Sequence, residues 1–413
     1  MNPLKFAVNA YITKSQPVSL VHFVTNRCNA RCKHCFIDFD HPDAFKGELS
    51  LEEIETLTKN IGSNLFNVNI TGGEPFLRID LFEIVNAYFT NTSIESVFIT
   101  TNGRFTQRTQ EFIDKFIASN IKGKVFLSIS IDNFEEEHNK NRRSIDLFKH
   151  ALNTYRMITD YNLPSIVCNI AITVTDHNYD KVLELYEYLK KIGVTSFTSI
   201  IMREEGVIKK IDPHMKQAIL EQYTKLAQRI HEDQLNGMTQ GWGSTIQGTL
   251  MNAKNMIINN TLAKTYIPNQ YISHCPAGAL FGVIYANGDV YPCEILYERK
   301  LGNLRDYGMN FLELWKNSAT QTCKKFIKDT KCRCSYECAW SINVISNPQY
   351  IPQLITKGIK LKLKQKEFKG PITTQPEITI KEEPEETQEE APEEVLIQIK
   401  ESEEEIPIQL QKN

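Results

Sequence analysis

Apolar residues along this chain follow two alternating periods. Short, β-branched runs recur at 18–24 (VSLVHFV), 66–70, 97–100 (VFIT), 124–131 (KVFLSISI), 167–174 (VCNIAITV) and 197–202 (FTSIIM). Between them, apolar positions return every three or four residues. These are Leu51, Ile54, Leu57 and Ile61; Phe112, Phe116 and Ile117; Phe148, Ala151, Leu152 and Tyr155; and Val182, Tyr186 and Leu189. The short runs predict strands and the longer period predicts helices. Continuous apolar runs suit strands buried on both faces. Ser50, with Glu53 three residues on, predicts a capping box at the first of these helices. Six strands alternating with helices build a parallel sheet with right-handed crossovers. Six repeats fall short of a closed eight-stranded barrel, so an open six-stranded barrel and a doubly wound sheet both satisfy the pattern. In either, ligands gather at the C-terminal ends of the strands.

The rest of the chain changes character three times. Residues 1–17 are a lead-in, and 204–274 read as largely helical without a motif. From 275 onward six of the ten cysteines crowd around a hairpin-like stretch, YANGDVYPC, whose Asn287-Gly288 pair favours a tight turn. A basic segment, 346–370, contains KGIKLKLKQKEFK at 357–369 and reads as a solvated face. The tail, 371–413, holds thirteen Glu and three Lys, and its Glu-, Gln- and Pro-rich text predicts disorder. Charge is therefore uneven: the net −3 divides into −10 on the tail and +7 on the body. That mild basicity falls short of a nucleic-acid-binding patch. The first residues carry no apolar leader core, and no stretch approaches a membrane span. A soluble, cytoplasmic protein is expected, whose cysteines bind metal or do chemistry and do not form a disulfide framework.

Cys28, Cys32 and Cys35 lie in one stretch, CNARCKHC, directly after the first strand. Three thiolates spaced C-x3-C-x2-C can hold three irons of a cubane cluster and leave the fourth open. The competing reading is zinc, with His34 or a distant residue as the fourth ligand.

With this loop in this place, the sequence resembles the radical SAM superfamily. The resemblance covers about residues 18–203 and implies a partial (β/α)6 TIM-like barrel. It further implies a [4Fe-4S] cluster on Cys28, Cys32 and Cys35, with S-adenosylmethionine chelating the open iron. "TGGEP" at 71–75 is similar to the family's second-strand motif, implying that Glu74 and the Gly72–Gly73 backbone hold the amino group of S-adenosylmethionine. Two glycines let a backbone approach closely, and a carboxylate suits an ammonium. "TTNG" at 100–103 places Thr101 and Asn102 near the cofactor by the same resemblance. "SISID" at 128–132 implies Ser130 and Asp132 as partners of the ribose or carboxylate. Met202 would contact adenine through its main chain, and Arg203 would pair with a carboxylate. The implied reaction is reductive cleavage to methionine and a 5′-deoxyadenosyl radical, which takes hydrogen from a substrate inside a barrel that excludes water. An electron donor such as flavodoxin or ferredoxin is the implied partner.

Cys275, Cys293, Cys323, Cys332, Cys334 and Cys338 form the second field. CPAG at 275–278, GDVYPC at 288–293, GNL at 302–304, Trp315 and CRCSYEC at 332–338 resemble a SPASM or twitch domain over 275–345. Such domains bind auxiliary 4Fe-4S clusters. The chain departs from the fuller SPASM pattern, having Cys332-x-Cys334-x3-Cys338 and six thiols where that pattern has seven. Six thiols cannot fully ligate two cubanes, so one auxiliary cluster on Cys275, Cys293, Cys334 and Cys338 is expected. Two clusters, one with an open iron, or a zinc knob are the alternatives. SPASM relatives often modify peptides or proteins, which makes a peptide-modifying enzyme the leading expectation. Only seventeen residues precede the first strand, so no N-terminal peptide-recognition domain is expected there. A small-molecule substrate such as a sugar or cofactor precursor therefore stays open, as does a non-catalytic iron–sulfur carrier. Cys168 reads as a buried thiol, His22 as core packing, and His138 with Arg142–Arg143 as either a loop facing the site or solvated surface.

Overall fold

The six β-branched runs become β1 (Ser19–Thr25), β2 (Asn67–Gly72), β3 (Ser96–Thr101), β4 (Lys124–Ser130), β5 (Ile166–Val174) and β6 (Phe197–Ile201). The structure, a computed structural model, describes residues 3–204, 210–243 and 245–370; the tail expected to be disordered lies outside them. Neighbours β1 through β6 pair in parallel and in chain order. A short helix, α1 (Pro3–Ala7), leads through a π-helical turn into β1. The crossovers carry α2 (Leu51–Lys59), α3 (Leu81–Asn91), α4 (Thr106–Ala118), α5 (Glu135–Arg142), α6 (Leu147–Asp160) and α7 (Val182–Lys191). The capping box of α2 forms: the Ser50 hydroxyl accepts from Glu53 N at 3.2 Å, and Glu53 Oε2 accepts from Ser50 N at 2.9 Å.

Two local readings change. On α4 the buried stripe is Phe112, Ile113 and Phe116, and Ile117 faces solvent. α5 went unpredicted because EEEHNKNR has no apolar stripe. Its burial comes from His138, Asn141 and Arg142 instead.

The sheet is longer than six strands and does not close. Its order is β6-β5-β4-β3-β2-β1-β7-β8-β9, with β7 (Phe281–Ile284) parallel to β1, and β8 (Asp289–Tyr291) and β9 (Gly302–Asn303) antiparallel beyond it. The Cys-rich segment is thus continuous with the barrel sheet and belongs to the same compact unit. The reason lies in β1, whose seven residues are all buried. An apolar strand of that kind cannot serve as an edge, and β7 covers it. The β7–β8 turn uses Gly288 at φ +84°, with Gly288 N donating to Tyr285 O at 2.9 Å.

Burial on both faces holds for β1 but not for β3–β5, which alternate. Val125, Leu127 and Ile129 of β4 face the helices, while Phe126, Ser128 and Ser130 are half-buried on the inner face. That inner face lines the barrel and is largely polar, with Thr71, Thr100, Ser128, Asn169 and Thr198; Asn169 Nδ2 donates to Thr198 Oγ1 at 2.8 Å. At the strands' N-terminal halves, Phe98 and Phe126 stack with ring centres 4.6 Å apart, and Trp242 lies 4.9 Å from Phe126. Trp242 comes from the turn between α8 (Pro213–Leu235) and α9 (Ile246–Thr265), the helical connection expected there. α10 (Phe311–Leu314), α11 (Ser318–Asp329), α12 (Glu337–Ser346) and α13 (Ile351–Lys364) complete the fold. The lysine-rich segment is helical through Lys364 and then pins itself to α8, Lys366 N donating to Leu235 O at 2.8 Å. Among the described residues, no helix is long and apolar enough to cross a membrane.

Cys168 is buried in β5 as expected. His22 is fully buried on β1, with Nδ1 2.9 Å from the Tyr88 hydroxyl, and burial lowers its pKa to about 3. The folded chain therefore keeps His22 neutral where the unfolded chain protonates it near pH 6.5. Stability is full above about pH 6.5 and falls by about 1.4 kcal/mol per pH unit from this group as pH drops toward 3. Urea unfolding at pH 7.5, 6 and 5 should show that decline, with a shallower slope in His22→Gln.

Candidate functional site

Three chain segments hold the loop that leaves β1. Gly73 N donates to Thr25 O and Glu74 N to Arg27 O, each at 2.8 Å, joining the ends of β1 and β2. Arg31 N and Lys33 N donate to the carbonyls of Arg142 and Asn141, each at 3.0 Å, fastening the loop to the C-terminal end of α5. Asn102 Nδ2, just beyond β3, donates to Asn29 Oδ1 at 2.8 Å.

This loop carries Cys28, Cys32 and Cys35, with Cys32 acting on both Cys28 and Cys35 and Cys35 acting on Cys28. Burial pushes the Cys28 thiol up to about 12 and the Cys35 thiol up to about 11. It also raises Cys32, against the pull of Arg142. All ten cysteines are free. His34, the residue that would complete a zinc tetrahedron within the loop, has Asp132 as its partner, Nε2 to Oδ2 at 3.7 Å. Among the described residues, no three His, Cys, Asp or Glu side chains gather at the spacing of a single bound ion. A donor set of three thiols on one loop, with the histidine turned to a carboxylate, fits a cluster held at three corners better than a tetrahedral ion.

The glycines of TGGEP also permit a close approach within the protein. A Cβ on Gly72 would lie 2.0 Å from Thr25 O, and one on Gly73 2.0 Å from Arg27 O. The close approach they permit is that of the β1 loop itself. Glu74 is buried beside it, and both carboxylate oxygens are engaged. Oε1 accepts from Thr101 Oγ1 at 2.7 Å and Phe76 N at 3.1 Å, and Oε2 from Asn102 N at 2.7 Å. Burial outweighs these hydrogen bonds and raises the Glu74 pKa to about 7. TGGEP and TTNG, separate motifs in the sequence, thus meet as one hydrogen-bonded unit.

SISID divides between two surroundings. Ser130 is half-buried on the inner face at the end of β4. Asp132 is buried and occupied by the protein: Oδ2 accepts from Arg142 Nη2 and, at 3.2 Å, from Arg142 Nε, while Oδ1 accepts from Thr173 N at 2.9 Å. Burial would raise its pKa, but the Arg142 charge overrides this and holds it at about 2. Arg142 Nη1 in turn reaches Cys32 Sγ at 3.7 Å. Asp132 therefore meets the cysteine loop through Arg142. His138 is buried too, its Nδ1 accepting from Asp132 N at 3.3 Å, so neither residue is solvated surface. Arg143 alone of that group is exposed.

At the end of β6, Met202 N donates to Val174 O at 3.0 Å. Arg203 finds its carboxylate within the chain: Nη2 lies 2.8 Å from Glu294 Oε2. Its guanidinium also sits 4.5 Å from the Tyr336 ring and 5.7 Å from the Phe36 ring. The Tyr336 hydroxyl donates to Glu294 Oε1. Phe36 follows Cys35, Glu294 follows Cys293, and Tyr336 lies between Cys334 and Cys338, so this group links the two cysteine fields.

In the second field, burial raises the Cys275 and Cys293 thiols, and the neighbouring Cys334 and Cys332 push both further up. Cys323 is buried behind Cys332. Cys338 is held up at about 12 by burial and then by Glu294 and Glu337. Of the four expected ligands, Cys275 and Cys293 feel the charge of Cys334, and of Cys332 as well, while Cys338 lies against Tyr336 and Glu294. Nearby, the buried Lys254 donates from Nζ to Ser341 Oγ at 2.9 Å. Glu294 and Tyr336 sit beside and within the cysteine motifs but were missed because the residue they engage, Arg203, lies far from them in sequence; Lys254 belongs to no motif.

Comparison with known proteins adds three findings. A family model for the radical SAM superfamily matches residues 23–189, and one for an iron–sulfur cluster-binding domain, SPASM, matches 275–339. The chain is 26% identical over 301 residues to the sporulation killing factor maturation protein SkfB of Bacillus subtilis, covering 71% of this chain and 64% of that one. It is 32% identical over 178 residues to GTP 3′,8-cyclase of Lactiplantibacillus plantarum, covering 42% and 51%. The chain thus spans about half to two thirds of the length of these curated relatives. Among solved structures, anSMEcpe with bound AdoMet and Cp18Cys peptide shares the fold at TM-score 0.53 and 21% identity, covering 84% of this chain and 99% of that one.

Gly73→Ala should displace the β1 loop, costing about 1–3 kcal/mol as overpacking does. Any iron carried by the Cys28–Cys35 loop should fall while any carried by the Cys-rich segment stays. Iron analysis beside urea unfolding checks both.

Proposed function

Because the chain belongs to the radical SAM superfamily and carries a SPASM domain behind its barrel, we propose that it reductively cleaves S-adenosylmethionine and uses the product to modify a peptide or protein. The observation that carries this reading is the three-thiol loop pinned against the Glu74–Thr101–Asn102 unit. A [4Fe-4S] cluster held by Cys28, Cys32 and Cys35 would supply one electron to break the sulfonium C5′–S bond, giving methionine and a 5′-deoxyadenosyl radical that abstracts hydrogen from the substrate.

The chain's own residues bind and orient. A carboxylate offers about four acceptor sites, and three at Glu74 are taken within the protein. The remaining site suits the ammonium of S-adenosylmethionine, next to the backbone of Gly72 and Gly73. Ser130 and the main chain at Met202 line the same strand ends and serve the ribose and adenine. Arg203 keeps its bond to Glu294 and bounds the site, and Asp132 serves through Arg142. The polar inner face receives substrate, and the Phe98–Phe126–Trp242 stack closes off the strand starts. Such seclusion keeps a reactive carbon radical from water.

An auxiliary [4Fe-4S] cluster belongs on Cys275, Cys293 and Cys334, with Cys338 or Cys332 as the fourth ligand. The peptide substrate is supported by the match to SkfB, a maturation protein, which runs through both the barrel and the Cys-rich segment. The cyclase match covers less than half of the chain and keeps a small-molecule substrate as the second reading. A flavodoxin or ferredoxin is the proposed electron donor.

Anaerobically reconstituted protein with dithionite and S-adenosylmethionine should yield 5′-deoxyadenosine. Joint replacement of Cys28, Cys32 and Cys35 by Ala should abolish it while auxiliary iron remains; retained cleavage would place the chemistry elsewhere. Glu74→Gln keeps the shape but removes the charge, and should weaken S-adenosylmethionine binding about 10–100-fold, as expected for one charge-assisted hydrogen bond. Calorimetry on the cluster-loaded protein measures that loss.

A further inference from the structure

The three thiols of the β1 loop differ in what donates to them. Cys28 Sγ accepts from a neutral backbone group, Ala30 N, at 3.4 Å. Cys35 likewise meets the backbone of Ile37. Cys32 instead faces a charge: the guanidinium of Arg142, whose Nη1 lies 3.7 Å from Sγ. Arg142 is buried, and its fork is divided. Nε and Nη2 are committed to Asp132, and Nη1 is the arm left for the sulfur. Asp132 is itself fixed from its other oxygen by Thr173 N at 2.9 Å, so the guanidinium is oriented before anything binds. The loop's backbone is held separately, through the Arg142 carbonyl to Arg31 N. Side-chain substitution at Arg142 therefore leaves that tie in place.

We propose that the Arg142–Asp132 pair sets the reduction potential of a cluster held by Cys28, Cys32 and Cys35, with Arg142 a positioning residue that donates to Cys32. The inference rests on the cluster assignment made above. Reduction adds one electron, supplied by a low-potential donor, to a cluster already surrounded by thiolates. Hydrogen bonds to cluster sulfurs are among the factors that set such potentials. A charged donor at Cys32 favours the reduced form and raises the midpoint. The Asp132 carboxylate, behind the guanidinium, opposes this and holds the midpoint down. Two neighbours of opposite sign predict shifts of opposite sign, which a purely structural role does not.

The test is a reductive titration of the holoprotein, following the first cluster by electron paramagnetic resonance and using the auxiliary cluster as an internal reference. Arg142→Gln should move the first midpoint to more negative potential, and Arg142→Lys, which keeps the charge without the fork, should move it less. Asp132→Asn should move it to less negative potential. The auxiliary midpoint should stay fixed in all three. Unchanged midpoints, or shifts of the same sign in Arg142→Gln and Asp132→Asn, would overturn the inference. So would loss of first-cluster iron from all three variants with auxiliary iron retained, since Arg142 would then be only a tie. If the wild-type protein itself shows no signal that the triple cysteine variant removes, the cluster assignment fails, and this inference falls with it.

Discussion

The Thr25 carbonyl oxygen stands where a β-carbon on Gly72 would have to be, and the Arg27 carbonyl does the same at Gly73. This contact between two backbones determines the geometry of the whole site. It brings the end of β1 against the end of β2 closely enough for Gly73 N and Glu74 N to close the gap by hydrogen bonds. The cysteine loop then leaves at a set angle and Glu74 turns inward, where Thr101 and Asn102 meet it. Without side chains at two positions, three consecutive strand ends become a single rigid rim.

A second dependence runs between the barrel and the Cys-rich segment. They share one sheet, since β7 pairs with β1 on the side opposite β2. They also share one buried polar group, in which Arg203 from the end of β6 binds Glu294 while Tyr336 donates to the same carboxylate. Burying these charges is tolerable because each is paired and hydrogen-bonded. The two cysteine fields are therefore held at a fixed separation by the fold itself, with aromatic and guanidinium groups packed between them.

Legibility from sequence followed the range of the signal. All six barrel strands were readable because each is a local run of β-branched residues, and the α2 capping box because its partners are three residues apart. α5 was not readable, since its buried residues are polar and its stripe is stabilised by Asp132 and the cysteine loop. β7 could be read as part of a hairpin but not as the neighbour of β1, because pairing across about 260 residues leaves no periodicity behind. Among site residues, those in short motifs were visible, Arg142 only as one of two alternatives, and Glu294 not at all, since both act on partners distant in the chain. Asp132, which reads from sequence as a ligand-facing carboxylate, also has an internal partner, Arg142, that no local pattern announces.

The position of β1 in the sheet has a consequence for how the chain is made. Flanked by β2 on one side and β7 on the other, β1 emerges from the ribosome about 260 residues before its second neighbour. At roughly 5–20 residues per second, an apolar strand stays open along one flank for roughly 10–50 s of synthesis. Such a flank is a template for pairing with another nascent chain. The β7–β8 hairpin thus acts as a late clasp, and truncation before residue 281 would leave that flank permanently bare.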